Sequence, residues 1–429
     1  MKKKTIITAL QLIFGCTILK AQYTNSEVSR NLLSQFTSGL ISTQLTSNTT
    51  LNNFFAIKTS TYLSEASDLS LSSAYAVLDN TDNKLFLGGT SYLGKHISNS
   101  RLLVTGGLKA NIEDGFSSII KSGAINKDIG FDLKLTIFGR GTIYFDQAQT
   151  AQYSIISNHR TYLANELLNE FDNKLTTFKR NQVGIPATAT TIAISNYVQE
   201  SAADLNEQFA DRESAFIDEE RLYNLSHTWW ISINVYFPVT SSEYKTIPNY
   251  SSKTIFDKKY KPYEADIIWT NFWEQTKWTK NILLFKGVNL FSLKLAVLAD
   301  NTINASLIDK SAIDTYINQN ENPDTLKLDT LQLIQLNNQS VNVGEYHQFV
   351  TTKISARYVY MPVKFIGVSL AIEKCFGQVE ALNWKIGIPI SLKDSDGKAN
   401  INFELHWREI NKGHSVGVSI GLPIGKTIF

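Results

Sequence analysis

The sequence predicts an all-β membrane fold: an antiparallel up-and-down transmembrane β-barrel of about 12–14 strands with a helical-hairpin insertion. Three observations predict it. The first is strict alternation near the C-terminus, where Ala399, Ile401, Phe403, Leu405 and Trp407 share one face and Asn400, Asn402, Glu404, His406 and Arg408 the other. The following segment repeats it, with Val416, Val418, Ile420, Leu422 and Ile424 against Ser415, Gly417, Ser419 and Gly421. One apolar and one polar face at a period of two is what a strand needs between lipid and a wet lumen. The second is an N-terminal export segment. The third is hydropathy: the mean is slightly negative, −0.13, and beyond the export segment no stretch approaches the roughly eighteen apolar residues of a spanning helix. A soluble β-sandwich gives similar alternation and is the main competing fold.

Residues 1–21 have the form of a signal peptide: Lys2, Lys3 and Lys4, an apolar stretch from Ile6 to Leu19, then Ala21 before Gln22. The stretch is short for a membrane anchor and is interrupted by Thr8, Gln11 and Thr17. Cleavage there removes four lysines (Lys2, Lys3, Lys4 and Lys20) and no acid, taking the formal charge from +2 to −2. A near-neutral chain carries no electrostatic footprint for nucleic acid. Cys16 is also removed, so Cys375 is left without an internal disulfide partner. The barrel is assigned to residues 22–429.

In the first third, strands are predicted over Asn53–Thr61, Leu69–Leu78, Lys84–Leu93, Leu102–Asn111 and Ile129–Phe138, with Phe36–Thr46 as one more candidate. Gly88, Gly89, Gly106 and Gly107 lie inside them and mark close approach or curvature. The pattern changes over residues 155–225. Leu163, Leu167, Leu168, Phe171, Leu175 and Phe178 recur at helical spacing, and Val198, Ala202, Leu205, Phe209 and Phe216 do so again. Two readings stay open: the stripes bury each other as a hairpin, or one docks on a partner or plugs the barrel. Asp211, Glu213, Asp218, Glu219 and Glu220 read as a solvated face.

Strands resume with Trp229–Val239, followed by the polar loop Tyr244–Lys261 and the aromatic cluster Trp269, Phe272, Trp273 and Trp278, which suits an interfacial girdle. Ile267–Gln275 and Leu283–Ala299 are further strand candidates, and residues 300–345 form a long polar loop. Then come Thr351–Tyr360, Val363–Lys374, Val379–Leu392, Ala399–Ile410 and His414–Ile428. Short turns join them, including Met361-Pro362 and Asp394-Ser395-Asp396-Gly397. Thirteen strands result. Phe36–Thr46 would make fourteen, and losing Ile267–Gln275 would make twelve.

With its export segment and its last residue, Phe429, the chain resembles bacterial outer-membrane β-barrel proteins as a general class. The resemblance implies the outer membrane of a Gram-negative-type cell and a surround of outer-membrane lipid. It also implies insertion by the barrel-assembly machinery, with Phe429 as the assembly signal. Both chain ends then face the periplasm. Counting strands back from Phe429 puts the helical insertion on that side and Asp300–Gly344 outside the cell.

The candidate lumen-lining residues are Lys353, Arg357, Glu373, Asn383, Lys385, Asn400, Asn402, Glu404, His406 and Arg408. Mixed charge with amides suits a hydrated interior that orients polar solutes. Alternatively Glu404, Arg408, Lys385 and Glu373 satisfy one another and fill a closed barrel. No catalytic residues, cofactor or metal site are expected. H-E-x-x-H, a phosphate loop and C-x-x-C are missing, and the six histidines are scattered. His414 beside Ser415 lacks the context of a barrel phospholipase. The expected function is a porin-like channel or transporter for small polar or amphipathic solutes. The alternative is a non-transporting structural or assembly subunit of an envelope complex, with an envelope protein partner on the helical insertion.

Overall fold

The structure is a computed structural model. It describes residues 48–60, 68–79, 84–93, 101–111, 120–121, 124–125, 129–139, 141–145, 149–182, 187–249, 255–276, 285–305, 307–312, 340–393, 399–410 and 413–427. The export segment, Phe36–Thr46 and Phe429 lie outside the described residues. The chain divides into two compact units, Met1–Phe54 with Phe145–Leu222, and Phe55–Tyr144 with Tyr223–Phe429.

The second unit is a closed barrel of twelve antiparallel strands: β1 (Ser72–Asp79), β2 (Lys84–Tyr92), β3 (Arg101–Asn111), β4 (Gly130–Phe138), β5 (Leu225–Pro238), β6 (Glu264–Gln275), β7 (Gly287–Asn301), β8 (Gln348–Val363), β9 (Ile366–Phe376), β10 (Ala381–Lys393), β11 (Ala399–Ile410) and β12 (Gly413–Thr427). Each pairs with its sequence neighbours, β5 joins β6, and β12 returns to β1 through pairs such as Val77 with Gly421. A closed ladder leaves no edge, so the strands' backbone groups find their partners within the sheet, apart from local register shifts.

The barrel is inverted relative to a soluble fold. Along β4, Phe131, Leu133, Leu135 and Ile137 point outward, with Leu133 50% exposed, whereas Asp132, Lys134 and Thr136 are buried, with Lys134 at 0%. The same outward apolar row continues through Ile267, Leu295, Leu370, Ile386, Leu405 and Val416. Such a belt is stable only against lipid, which rules out the sandwich.

Twelve strands, not thirteen, form the barrel, and the one removed is not Ile267–Gln275, which lies in β6. It is Asn53–Thr61, which falls instead in α1 (Asn48–Ser60). Phe55, Lys58 and Thr59 of this helix are buried. Phe55 meets Phe272, an inward residue of β6, edge-on at 6.4 Å. A segment enclosed by a complete ladder finds no free strand edge, so it satisfies its amides within itself as a helix. Leu69, Ser70 and Leu71, read as the start of a strand, also lie buried before β1 begins.

Other turns and clusters differ in detail. β8 runs through Met361-Pro362, and the hairpin turns at residues 364–365, with a register shift between Tyr360 and Val363. The aromatic cluster splits: Trp269 faces outward, Phe272 is fully buried, and Trp273 stacks on His227 at 5.6 Å. Trp278 lies outside the described residues. The polar loop Tyr244–Lys261 contains two strands, Ser242–Ile247 and Phe256–Tyr260. They join Asp309–Ala312 and Ser340–Val343, parts of the long polar loop, in a four-stranded sheet.

Gly88 and Gly107 face each other across β2 and β3, and a Cβ on either would strike the buried ring of Phe86. The two glycines therefore form a seat for that ring, which also packs on Tyr75 at 5.2 Å. Gly107→Ala is expected to cost about 1–3 kcal/mol through overpacking, read as a lower denaturant midpoint of the folded barrel.

In the first unit, α2 (Gln149–Asn181) and α3 (Ala187–Glu219) form a hairpin. The two apolar stripes bury each other: Leu163, Leu167, Leu168, Phe171 and Leu175 meet Leu205 and Phe209, with Val198 and Ala202 at the margin. Glu213 does not belong to a solvated face. It is buried and holds Arg160 at 2.5 Å. His159 stacks on Phe216 at 3.6 Å, and burial holds its imidazole below the ordinary histidine range.

Candidate functional site: the barrel lumen

Alternation carries polar side chains inward from every wall, and their pairing follows from the strand register. At the end of the barrel that holds the start of β1 and the end of β12, Lys58 lies 2.6 Å from Glu274 of β6. Tyr223 donates its hydroxyl to the same carboxylate at 2.9 Å, and Lys58 Nζ is 3.1 Å from that hydroxyl. Phe55 packs beside this group. Phe55 and Lys58 of α1 are thereby seated inside this end of the lumen.

The middle of the lumen is organised by one carboxylate. Glu404 of β11 is fully buried. It takes Lys385 of β10 at 3.0 Å, Arg357 of β8 at 3.2 Å, and the Ser369 hydroxyl of β9 at 2.8 Å. Gly387 makes room for it, because a Cβ there would come within 2.5 Å of Glu404 Oε1 and Ser369 Oγ. The other branch of the Arg357 guanidinium reaches Asp68, 2.8 Å away, in the segment before β1. That segment has further ties: Lys134 donates to the Asp68 carbonyl at 2.9 Å, and Thr90 donates to the Ser70 carbonyl at 2.7 Å.

Toward the opposite rim the lumen widens into a vestibule of about 380 Å³. Lys109, Glu264, Lys294, Lys353, Glu373 and Arg408 are among its lining residues. Lys294 bridges Asp266 and Glu264 at 2.9 and 3.1 Å, and Lys353 meets Glu373 at 3.3 Å. A smaller cavity of about 60 Å³ lies against Thr59, Asp68 and Leu69. Both cavities share Lys294, Ser355 and Arg357 as walls. Arg357 therefore stands between the vestibule and the space beside the interior segment.

Of the ten residues proposed from sequence, Lys353, Arg357, Glu373, Asn383, Lys385, Asn402, Glu404, His406 and Arg408 occupy the inward register. Asn400 lies in β11, its side chain outside the described residues. Of the expected pairings, Lys385 with Glu404 is present; Glu404 also takes Arg357, Glu373 holds Lys353 and accepts from Asn383 at 3.0 Å, and Arg408 Nε donates to Ser415 at 3.3 Å. Sequence reasoning missed Asp132, Lys134, Glu264, Asp266 and Lys294, although alternation with outward apolar neighbours marks each as inward. Lys58 and Asp68 carried no such signal, because neither lies in a strand.

No family model matches the chain, and no curated protein matches it. Among solved structures it is similar to the beta domain of the Bordetella autotransporter Brka, at 8% identity over 81% of this chain and 95% of that one, with a TM-score of 0.25. A score so low carries no argument. The barrel rests on its own strand pairing.

Proposed function

We propose that the protein is an outer-membrane transport barrel for small polar or amphipathic solutes, gated by the interior segment formed by residues 55–60 and 68–71. The observation that carries this reading is the charged vestibule, which narrows onto Arg357 where the interior segment is latched. A structural filler has no need of a cavity of this size, within the range of small-molecule sites. The apolar belt supports placement in the outer membrane. On the resemblance noted above, Phe429 is read by the barrel-assembly machinery.

Single-channel recording in planar bilayers tests the proposal. The full chain is expected to open rarely, and Asp68→Ala, which removes the Arg357 latch, to raise open probability at least about tenfold, since a charge-assisted hydrogen bond is lost. Folding of each sample is checked by heat-modifiable gel mobility. Silence from both folded proteins would sink the transport reading. The second reading, a docking subunit of an envelope complex, is favoured by Ile155 and Tyr162, exposed seven residues apart on α2, and silence would make it the leading one.

A further inference from the structure

The register places three cations in one hydrogen-bonded row of the vestibule wall. Arg357 opposes Ala371, Ala371 opposes Lys385, Lys385 opposes Arg408, and Arg408 opposes Ser415. Like charges set directly opposite each other are unfavourable unless an anion lies near. The fully buried Glu404 takes Arg357 and Lys385, and Arg408 Nε donates to Ser415. Ala371 and Ser415 are small, so the row is a cationic shelf that borders open space. All three cations line the vestibule.

The shelf already holds one anion that belongs to no barrel strand. Asp68 of the interior segment presents its carboxylate to Arg357 at 2.8 Å, at the wall shared by the two cavities. It is an internal carboxylate in a position that a solute carboxylate entering from the vestibule would also seek.

We propose that the vestibule binds small carboxylate solutes on Arg357, Lys385 and Arg408, and that a bound carboxylate competes with Asp68 for Arg357. The site rests on the transport reading above and names its substrate class and its coupling. Arg357 can offer its planar fork to Glu404 together with either Asp68 or the solute carboxylate. A ligand that favours the state in which Asp68 has left Arg357 shifts the interior segment toward release by its differential affinity for that state. No bond is made or broken. The solute exchanges water for guanidinium and ammonium donors, and Asp68 exchanges Arg357 for water.

Titration calorimetry on the full chain in lipid nanodiscs tests this, with succinate as the probe and inorganic phosphate and choline as comparisons. Succinate is expected to bind. Asp68→Asn is expected to tighten it about tenfold, because the internal competitor is lost, and Arg408→Gln to weaken it about tenfold. A merely structural Asp68 would not produce tightening. Absence of succinate binding to both the wild-type protein and Asp68→Asn overturns the site. Equal or weaker binding to Asp68→Asn overturns the competition. Tighter binding of phosphate or choline overturns the carboxylate class. The test is separable from transport: a silent barrel that binds succinate more tightly as Asp68→Asn keeps this inference and loses the transport reading, and a conducting barrel indifferent to succinate does the reverse.

Discussion

Leu405→Arg is expected to destabilise the barrel in a bilayer by about 2–4 kcal/mol, the cost of a cation near the middle of a lipid-facing strand. Leu405 is 48% exposed, lies near the middle of β11, and sits between Ile388 of β10 and Val418 of β12. On a water-facing surface the same change would move stability by no more than about 0.5 kcal/mol. The two environments therefore predict effects several-fold apart for one substitution. Denaturant titration of the protein refolded into phospholipid vesicles reads the difference. A cost under about 0.5 kcal/mol would overturn the lipid-facing assignment of the belt.

Lys58→Met is expected to cost about 3–5 kcal/mol, because it strands Glu274 as an uncompensated buried charge. The two side chains are 4% and 6% exposed and lie 2.6 Å apart, so little water reaches either. Tyr223 still donates to Glu274 and softens the loss without replacing the ammonium. Replacing both partners, as Lys58→Met with Glu274→Leu, should recover most of it, since removing a buried pair together is often neutral. The same vesicle titration measures the three proteins. Equal loss in the single and double variants would show that the cost is one of packing rather than of charge.

The barrel was legible where its two faces differ most. β11 and β12 carry unbroken apolar rows against amides, charges and glycines, so period, register and inward set all follow from the residues. β4 was legible as a strand, and its Asp132 and Lys134 could have been assigned to the lumen by the same rule. α1 could not be read. Phe54 to Ile57 is a short apolar run whose period fits strand or helix, and its helical state comes from enclosure by a ladder with no free edge. Glu213 was misread because composition marks an acidic stretch as solvated, whereas its burial depends on Arg160, more than fifty residues away. The Asp68–Arg357 contact, between residues far apart in the chain, exists only once the barrel has closed around the interior segment, and no local pattern announces it.

The pairing of β1 with β12 also fixes an order of events during biogenesis. Every other seam of the barrel joins strands that follow one another along the chain, and the hairpins from β8 to β12 close over very short turns. The β1–β12 seam cannot form until the last strand has been synthesised. Until then two open edges expose unpaired amides and carbonyls, each costing several kcal/mol in hydrocarbon. In a bilayer an incomplete barrel is therefore strongly disfavoured, and closure is a late step, slow in the manner of non-local pairings. Residues 68–71 immediately precede β1, so the zipping of that seam is also the moment at which the interior segment is sealed inside.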